Sequence, residues 1–302
     1  MCVGESESKA MQLFKRLGMD KVAWALRRLY CPVSSDALVL EVGSGGNPYA
    51  RANVLLDAYE DTRERHWVPL KSDRPMVLGF VENLPFIDKS FDFVIASHVF
   101  EHSTDPEKFL QELQRVAKAG YIEVPDAFME RINPYRDHRL EITVRQGKLL
   151  IRKKPKSTVD ETLVELYSDR AKSYIAGQLI PAHPFAFHVR YYWSESIDFE
   201  VLNPEVDAAW QSPADPVVTS NVISKKSLRQ KLLDAMRTWS TQRARNSQID
   251  LLTLLRCPDC YSDKLAQSES QVLCNTCGES YQLRNGIPHL FAKTKLIKND
   301  KN

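Results

Sequence analysis

The chain has 302 residues, 43% hydrophobic and 26% charged, which suits a globular protein that can bury a large core without disulfides. That composition excludes a collagen-like, wholly disordered or disulfide-scaffold chain, and at about 150 residues per domain it suggests two domains. Forty-one Lys and Arg against 39 Asp and Glu leave a net charge of +2, so overall charge does not call for nucleic acid.

No apolar run reaches the roughly 18 residues of a membrane span, and the first residues lack the apolar core of a secretory signal, so the cytoplasm is the expected location. Residues 8–30 read as one amphipathic helix, with Met11, Phe14, Leu17, Val22, Leu26 and Leu29 spaced by helical steps. ALVLEV (37–42) is a short apolar run leading into glycines, as in a strand buried on both faces of a parallel sheet. NVLLD (53–57), PMVLG (75–79), FDFVIAS (91–97) and GYIEVP (120–125) repeat the pattern. Between the last two, residues 105–119 read as a helix. Asp105 is its N-cap, Pro106 its first residue, and Gly120 its end. Alternating strands and helices imply an α/β, doubly wound, mostly parallel sheet.

Further along, residues 139–156 read as a β-hairpin turning at Gln146-Gly147, and 159–178 as a helix. FAFHVRYYW and DFEVLNP read as closing strands. A Pro-containing linker (203–224) leads to a basic helix, 225–245. There Lys225, Lys226, Arg229, Lys231, Arg237, Arg243 and Arg245 face the single acid Asp234. An exposed linker helix is the plainest reading of it. An anionic membrane surface or RNA are the two functional ones.

Glycines just past a strand let backbone approach a ligand, and Gly43-Ser44-Gly45-Gly46 follows the first strand. Asp57 ends the second strand, 14 residues after Gly43, where an acid suits the hydroxyls of a ribose. EVGSGGNP, the strand ending in Asp57, and ENLPFIDKSFDFVIASHVFEH together resemble class I S-adenosylmethionine-dependent methyltransferases of the small-molecule type, over about residues 36–126. The resemblance implies a Rossmann-like fold and S-adenosylmethionine as cofactor. It implies that Glu41, Gly43, Ser44 and Gly45 line the methionine part and that Asp57 holds the ribose. Glu82, Asn83 and Leu84 would flank the adenine, and Ser97 and His98 would face the sulfonium. The sequence departs from the pattern at Phe80, where many members carry an Asp that contacts the adenine. Only residues 46–52 separate the glycine loop from the second strand, too few for a full crossover helix.

His98-Val99-Phe100-Glu101-His102 matches a zinc-protease pattern, H-x-x-E-H, but that pattern needs a long helix and this segment leaves a sheet strand. Some quinone-pathway O-methyltransferases place a divalent cation in this loop; Glu101 and His102 match part of that group. The favoured reading is that Glu101 and His102 cap and orient the loop. His98, by position, and His138, in the loop after the fifth strand, are the catalytic candidates, since a His can take a proton near neutral pH. Arg136 and Arg139 could hold an anionic group.

Cys257-x-x-Cys260 and Cys274-x-x-Cys277 are separated by thirteen residues. Two such turns complete a tetrahedral, closed and therefore structural zinc site. Cys2 and Cys31 are read as unpaired thiols. LLTLLRCPDC and LCNTCGESYQLRNGIPHLF resemble the small zinc-ribbon activator subunit of tRNA, rRNA and release-factor methyltransferases. Fusion would make that pairing intramolecular. The expected organisation is a methyltransferase domain (1–202), a linker with the basic helix (203–248), a zinc ribbon (249–292) and a tail (293–302). Within the first, 36–126 is the cofactor core and 127–202 a substrate or insert region. The expected acceptor is a small molecule or a sugar- or lipid-linked intermediate, with no obligate protein partner. A tRNA or translation-factor methyltransferase and a non-catalytic cofactor-binding scaffold are the alternatives.

Overall fold

Four short strands are buried at nearly every position, as a parallel sheet covered on both faces requires. They are β1 (Val39–Val42), β2 (Val54–Asp57), β3 (Met76–Leu78) and β4 (Phe91–Ser97). The structure, a computed structural model, describes residues 6–62, 65, 68–132, 134–157, 161–211 and 241–293. β5 (Ala117–Pro125) runs parallel to β4, and β8 (His188–Ser194) runs antiparallel along β5. The sheet order is β3-β2-β1-β4-β5-β8. The order reverses between β1 and β4, and ligands of such sheets bind in the crevice outside the carboxyl ends of the strands at that point. Val42 is level with Leu56 on one side and Ala96 on the other, so the glycine loop emerges beside Asp57 and Ser97.

Helix α3 (Pro106–Val116) links β4 to β5 and starts as expected: the Asp105 side chain accepts from the Lys108 N–H, and Pro106 opens the first turn. Phe109, Leu110, Leu113 and Val116 are buried against the sheet. The helix does not extend to Gly120. The chain passes into β5 at Ala117, and Gly120 lies inside that strand. Its lack of a side chain answers a different need: a Cβ there would lie 2.6 Å from Nε1 of Trp193.

The connection from β1 to β2 contains no helix. It is held by Arg74, whose guanidinium donates to the carbonyls of Tyr49 (3.0 Å) and Ala52 (2.7 Å). The N-terminal helix expected over 8–30 is broken. α1 (Lys9–Arg16) and α2 (Asp20–Leu26) are separated at Gly18, whose φ of +68° ends α1, and a 3-10 turn spans Arg27–Leu29.

After β5, α4 (Ala127–Ile132) leads to the hairpin β6 (Leu140–Arg145) and β7 (Lys148–Lys153). Gln146 and Gly147 both have positive φ, 53° and 79°, as a two-residue hairpin turn of type I′ demands. The expected helix over 159–178 is α5 (Glu161–Arg170) followed by Lys172–Tyr174 and a π-turn, Ile175–Leu179, with 158–160 outside the described residues. Pro184–Phe187 is a helical turn rather than the start of a strand, because Pro184 suits a helix N-terminus. β9 (Phe199–Val201) pairs with β7, so it closes the small sheet and not the main one.

Asn203 then exchanges two hydrogen bonds with the backbone of Lys153 (2.8 and 2.9 Å). Residues 225–240 of the basic helix lie outside the described residues; Arg243–Asn246 is a single helical turn. The C-terminal strands β10 (Leu265–Gln267), β11 (Gln271–Cys274), β12 (Ser280–Arg284) and β13 (Ile287–Pro288) form an antiparallel meander. This meander lies against β3: Leu290 donates to the Leu78 carbonyl (2.8 Å), and Phe86 bridges Leu255. Among the described residues no helix is long and apolar enough to cross a membrane.

Candidate functional site

The glycine loop leaves β1 through Gly43, whose φ is +64°. A Cβ there would lie 2.5 Å from the Cβ of Val99. Only glycine meets both conditions without a shift. Gly45 donates its N–H to Asp57 Oδ2 (2.9 Å), so the loop and the carboxyl end of β2 are tied together. The other Asp57 oxygen accepts from the Tyr59 N–H (3.2 Å) and from Arg65 (3.1 Å). Ser44 is 4% exposed and its hydroxyl has no partner among the described residues, an orphaned polar atom at the place where a bound ligand would supply one.

Glu41 is buried under the loop and accepts from the Tyr49 N–H (2.7 Å). Burial lifts its carboxyl to about 7, although Arg28 and Arg74 pull the other way. Its role in the geometry is to fix residues 46–52 behind the glycines. Beyond Asp57, Phe80 meets Tyr59 edge to face at 6.2 Å and Phe291 of the C-terminal meander at 5.0 Å. The position of the missing Asp is thus an aromatic wall. Glu82 accepts from the Ser103 hydroxyl (2.7 Å). Asn83 and Leu84 are not brought to the loop. Asn83 donates to the Pro258 carbonyl (3.0 Å), and Leu84 is fully buried with its N–H on Glu112 (2.7 Å).

On the other side of the loop, β4 ends in Ser97 and His98. Ser97 donates to Glu123 (3.1 Å), which projects from β5 and is wholly buried. Glu123 also receives two bonds from Arg27 (2.7 and 2.9 Å) and one from the Tyr121 hydroxyl (2.5 Å). Burial would raise this carboxyl, but His98 and Arg27 hold it well below the usual range. His98 has a φ of +55° and lies between two acids, Glu101 (3.5 Å) and Glu123 (3.3 Å). Desolvation opposes its charge; the two carboxylates outweigh that and lift the imidazole to about 9. At neutral pH His98 is therefore an imidazolium, a hydrogen-bond donor with no lone pair for a proton.

His138 is buried, and its Nδ1 bonds Glu130 (2.6 Å). Arg139 donates its N–H to the Glu101 carbonyl (2.7 Å), which draws the loop of His138 against the turn of Glu101. Arg139 also reaches the Ala208 carbonyl (2.7 Å) and faces the Trp210 ring. His188, 5.5 Å from His98 ring to ring, is packed against Trp24 of α2. His183, Phe185, Phe187 and His188 read from the sequence equally as pocket lining or as strand-face packing; the Arg27–Glu123 pair was not among the expected site residues. An acid inside the apolar run GYIEVP is the sequence signal for that pair, since a buried charge must be paired.

Cys257, Cys260, Cys274 and Cys277 converge with their sulfurs within 4.8 Å of one another. Cys260 and Cys274 are 3.5 Å apart and Cys257 and Cys277 are 3.7 Å apart. These are too long for an S–S bond and close to the edge of about 3.8 Å that a tetrahedron of Zn–S bonds of about 2.3 Å would have. The donor set and its spacing fit zinc.

Residues 40–122 match a family model described as a methyltransferase domain. An uncharacterized protein of Methanocaldococcus jannaschii is 30% identical over 81 residues, 27% of this chain and 40% of its own length. An uncharacterized methyltransferase of a Mycobacterium species is 28% identical over 171 residues, 51% of this chain and 67% of its own. The chain thus spans two fifths of one relative and about two thirds of the other. Among solved structures, a complex of the Haloferax volcanii Trm112 methyltransferase activator with a methyltransferase has a chain matching 62% of this one over 93% of its own length. Its TM-score is 0.36, at 17% identity. An S-adenosylmethionine-dependent methyltransferase of Mesorhizobium loti matches 57% of this chain over 96% of its own, with a TM-score of 0.34 at 13% identity. The glycine loop at the switch point of a doubly wound sheet, together with the family match over the same residues, makes the segment 40–122 a methyltransferase domain of the class I, S-adenosylmethionine-dependent kind.

Proposed function

We propose that this chain transfers the methyl group of S-adenosylmethionine to a small molecule or to a sugar- or lipid-linked intermediate. The observation that carries the reading is the glycine loop: Gly43 stands where no Cβ fits, and Gly45 is bonded to Asp57 across the carboxyl ends of β1 and β2. Gly43, Ser44 and Gly45 would receive the methionine part, Asp57 the ribose, and Phe80 with Glu82 the edge of the adenine. The cofactor supplies an already activated methyl group, so the protein's task is to align the acceptor and exclude water. Trp24 of α2, packed on His188 of β8, and Arg27 of the following turn, bonded to Glu123 of β5, support this. His98 would act as a charged donor that orients the acceptor. Zinc on the four cysteines would be structural, since four protein ligands leave no open position.

The small-molecule acceptor rests on the resemblance of ENLPF and HVFEH to that branch. A tRNA or a translation factor is the second reading, favoured by the cysteine module lying on segment 83–87, where Asn83, Pro85 and Ile87 bond Pro258, Arg256 and Leu254. Titration with S-adenosylhomocysteine tests cofactor use; an absence of binding overturns the methyl-transfer reading. Methyl-labelling of a cell extract, divided into small-molecule, RNA and protein fractions, tests the acceptor. Label confined to RNA or protein overturns the small-molecule reading. Binding of the intact chain to anionic vesicles or to tRNA at low salt tests the basic segment 225–245.

A further inference from the structure

His188 opens β8 at the carboxyl end of β5, where it pairs with Pro125. Ser97, the last residue of β4, pairs with Glu123 on the other side of β5. The fold therefore brings His188 to the edge of the sheet where His98 emerges, and the two rings stand 5.5 Å apart at 83°. This is the edge at which ligands of such sheets bind.

The ring of His188 is held in one orientation. Its Nδ1 lies 2.9 Å from the Pro184 carbonyl. A carbonyl only accepts, so Nδ1 carries the proton, and the lone pair of the neutral ring is on Nε2. Trp24 packs on the imidazole at 4.8 Å. Trp24 is fixed in turn by Phe185, edge-on at 5.3 Å, and by the Arg27 guanidinium, 3.6 Å over its ring. Nε2 has no hydrogen-bond partner among the described residues and is not shut off from solvent.

The two histidines that the sequence offers for proton transfer are less suited. His98, between Glu101 and Glu123, is charged at neutral pH and has no lone pair to give. His138 is 7% exposed, and its Nδ1 is taken by Glu130. The charged groups that face His188 are His98 after β4, Glu123 on β5 and Arg27 after α2. Burial is the largest cause that holds the His188 imidazole below the ordinary 6.5. The charges of His98 and Arg27 act with burial, and the Pro184 carbonyl and Glu123 act against it. Neighbouring groups pushed in opposite directions are how a site separates a proton acceptor from a charged donor.

We propose that His188 is the general base of this chain and that the methyl acceptor is a hydroxyl group, whose proton passes to Nε2. The proposal rests on the methyl-transfer reading. A neutral amine or a carboxylate already presents a lone pair, whereas a hydroxyl must lose its proton, so a base at this edge selects a hydroxyl. As the oxygen–methyl bond forms, the sulfur–methyl bond breaks and its electron pair stays on sulfur. The hydroxyl proton goes to Nε2, which makes His188 an imidazolium that later gives the proton to water. His98, already charged, would donate to the oxygen as negative charge develops on it.

The test is methyl transfer and histidine NMR on the full chain, with labelled S-adenosylmethionine and the small-molecule fraction of a cell extract as the probe. His188→Gln and His188→Ala should lose about 10²- to 10⁴-fold of the transfer, the usual share of a positioned base. Their affinity for S-adenosylhomocysteine should be unchanged. Added imidazole should restore part of the loss in His188→Ala, which a merely structural role would not allow. Wild-type transfer should fall on the acid side with an apparent pKa below 6.5. In protein labelled with ¹⁵N in the imidazole rings, His188 should be neutral at neutral pH with its proton on Nδ1, while His98 is cationic. The spectrum of His188→Gln assigns the resonance, and that variant carries the kinetic test if His188→Ala does not fold. A cationic His188 at neutral pH, or a proton on Nε2, overturns the proposal. So does wild-type transfer in a folded variant, or label released as methanol by alkali, the mark of a carboxyl acceptor. A wild-type chain that binds no S-adenosylhomocysteine overturns the methyl-transfer reading itself, and the base with it.

Discussion

Replacing Glu41 by Gln should stabilise the protein at high pH and leave it nearly unchanged at low pH. Glu41 is 2% exposed, and burial lifts its carboxyl from an ordinary 4.5 to about 7, net of the opposing pull of Arg28 and Arg74. At about 1.4 kcal/mol per pH unit that difference is worth roughly 3 kcal/mol. The sign follows from linkage: the folded chain holds this proton more tightly than the unfolded chain. The stability so contributed is complete below pH 4.5 and is lost as pH rises through about 7. Gln carries no proton to lose, and its carbonyl oxygen can still accept from the Tyr49 N–H, now 2.7 Å from Glu41. The expected stability gap between Glu41→Gln and wild type therefore opens between pH 5 and pH 8.5 to about 3 kcal/mol in favour of Gln. Urea denaturation at four pH values measures it directly as a shift in midpoint at constant slope. A gap that does not change with pH, or a variant that is less stable at pH 8.5, would refute the assignment of a buried carboxyl that resists ionisation.

Gly43→Ala should abolish binding of S-adenosylhomocysteine by calorimetry while leaving the fold visible by circular dichroism. Its φ of +64° and the 2.5 Å approach to Val99 force the loop to move; undiminished affinity would show that the loop is only a turn. Asp57→Ala should weaken the same binding by about 1.5–3 kcal/mol, the loss of a charged hydrogen-bonding partner. Equal affinity in the two proteins would remove Asp57 from the ribose. Cys274→Ser should lose the mercurial-sensitive zinc and lower the thermal midpoint, whereas a metal-free wild-type protein with two disulfides would contradict a zinc ribbon.

The parts legible in the sequence are those fixed by local chemistry. β1 to β4 announced themselves as apolar runs because strands buried on both faces leave no room for alternation. Asp105-Pro106 and Gln146-Gly147 act within a few residues, as a cap and a turn, and both are found as expected. The long N-terminal helix was misread because the apolar spacing continues through Gly18, while the left-handed backbone there breaks the helix. Gly120 was misread because its reason, Trp193, is 73 residues away on the neighbouring strand. The site suffers most from this distance effect. Arg27 and Glu123 are 96 residues apart, and nothing near Arg27 distinguishes it from a solvated helix residue. His138 reads as part of a charged loop; the Arg139–Glu101 backbone bond and the bond of His102 to the Asp137 carbonyl put it beside Glu101.

The cysteine module illustrates how a boundary in sequence need not be a boundary in packing. Cys257, Cys274, Tyr281 and Leu290 are buried in the same apolar cluster as Leu40, Val77, Phe86 and Val94 of the methyltransferase half. β3 is a three-residue edge strand, and an uncovered edge is a liability; here Leu290 and His289 cover it. Segment 84–88 is held from one side by Arg115 of α3, on the Phe86 and Leu84 carbonyls (2.7 and 2.9 Å), and from the other by the backbone of Leu254 and Arg256. Phe80, beyond Asp57 beside the glycine loop, leans on Phe291. Free energy gained by holding a metal on the four cysteines is folding energy for whatever packs on them. In this chain that would include the aromatic wall and the segment beside Glu82, so metal binding by the four cysteines and the order of the crevice beside the glycine loop would be parts of one equilibrium.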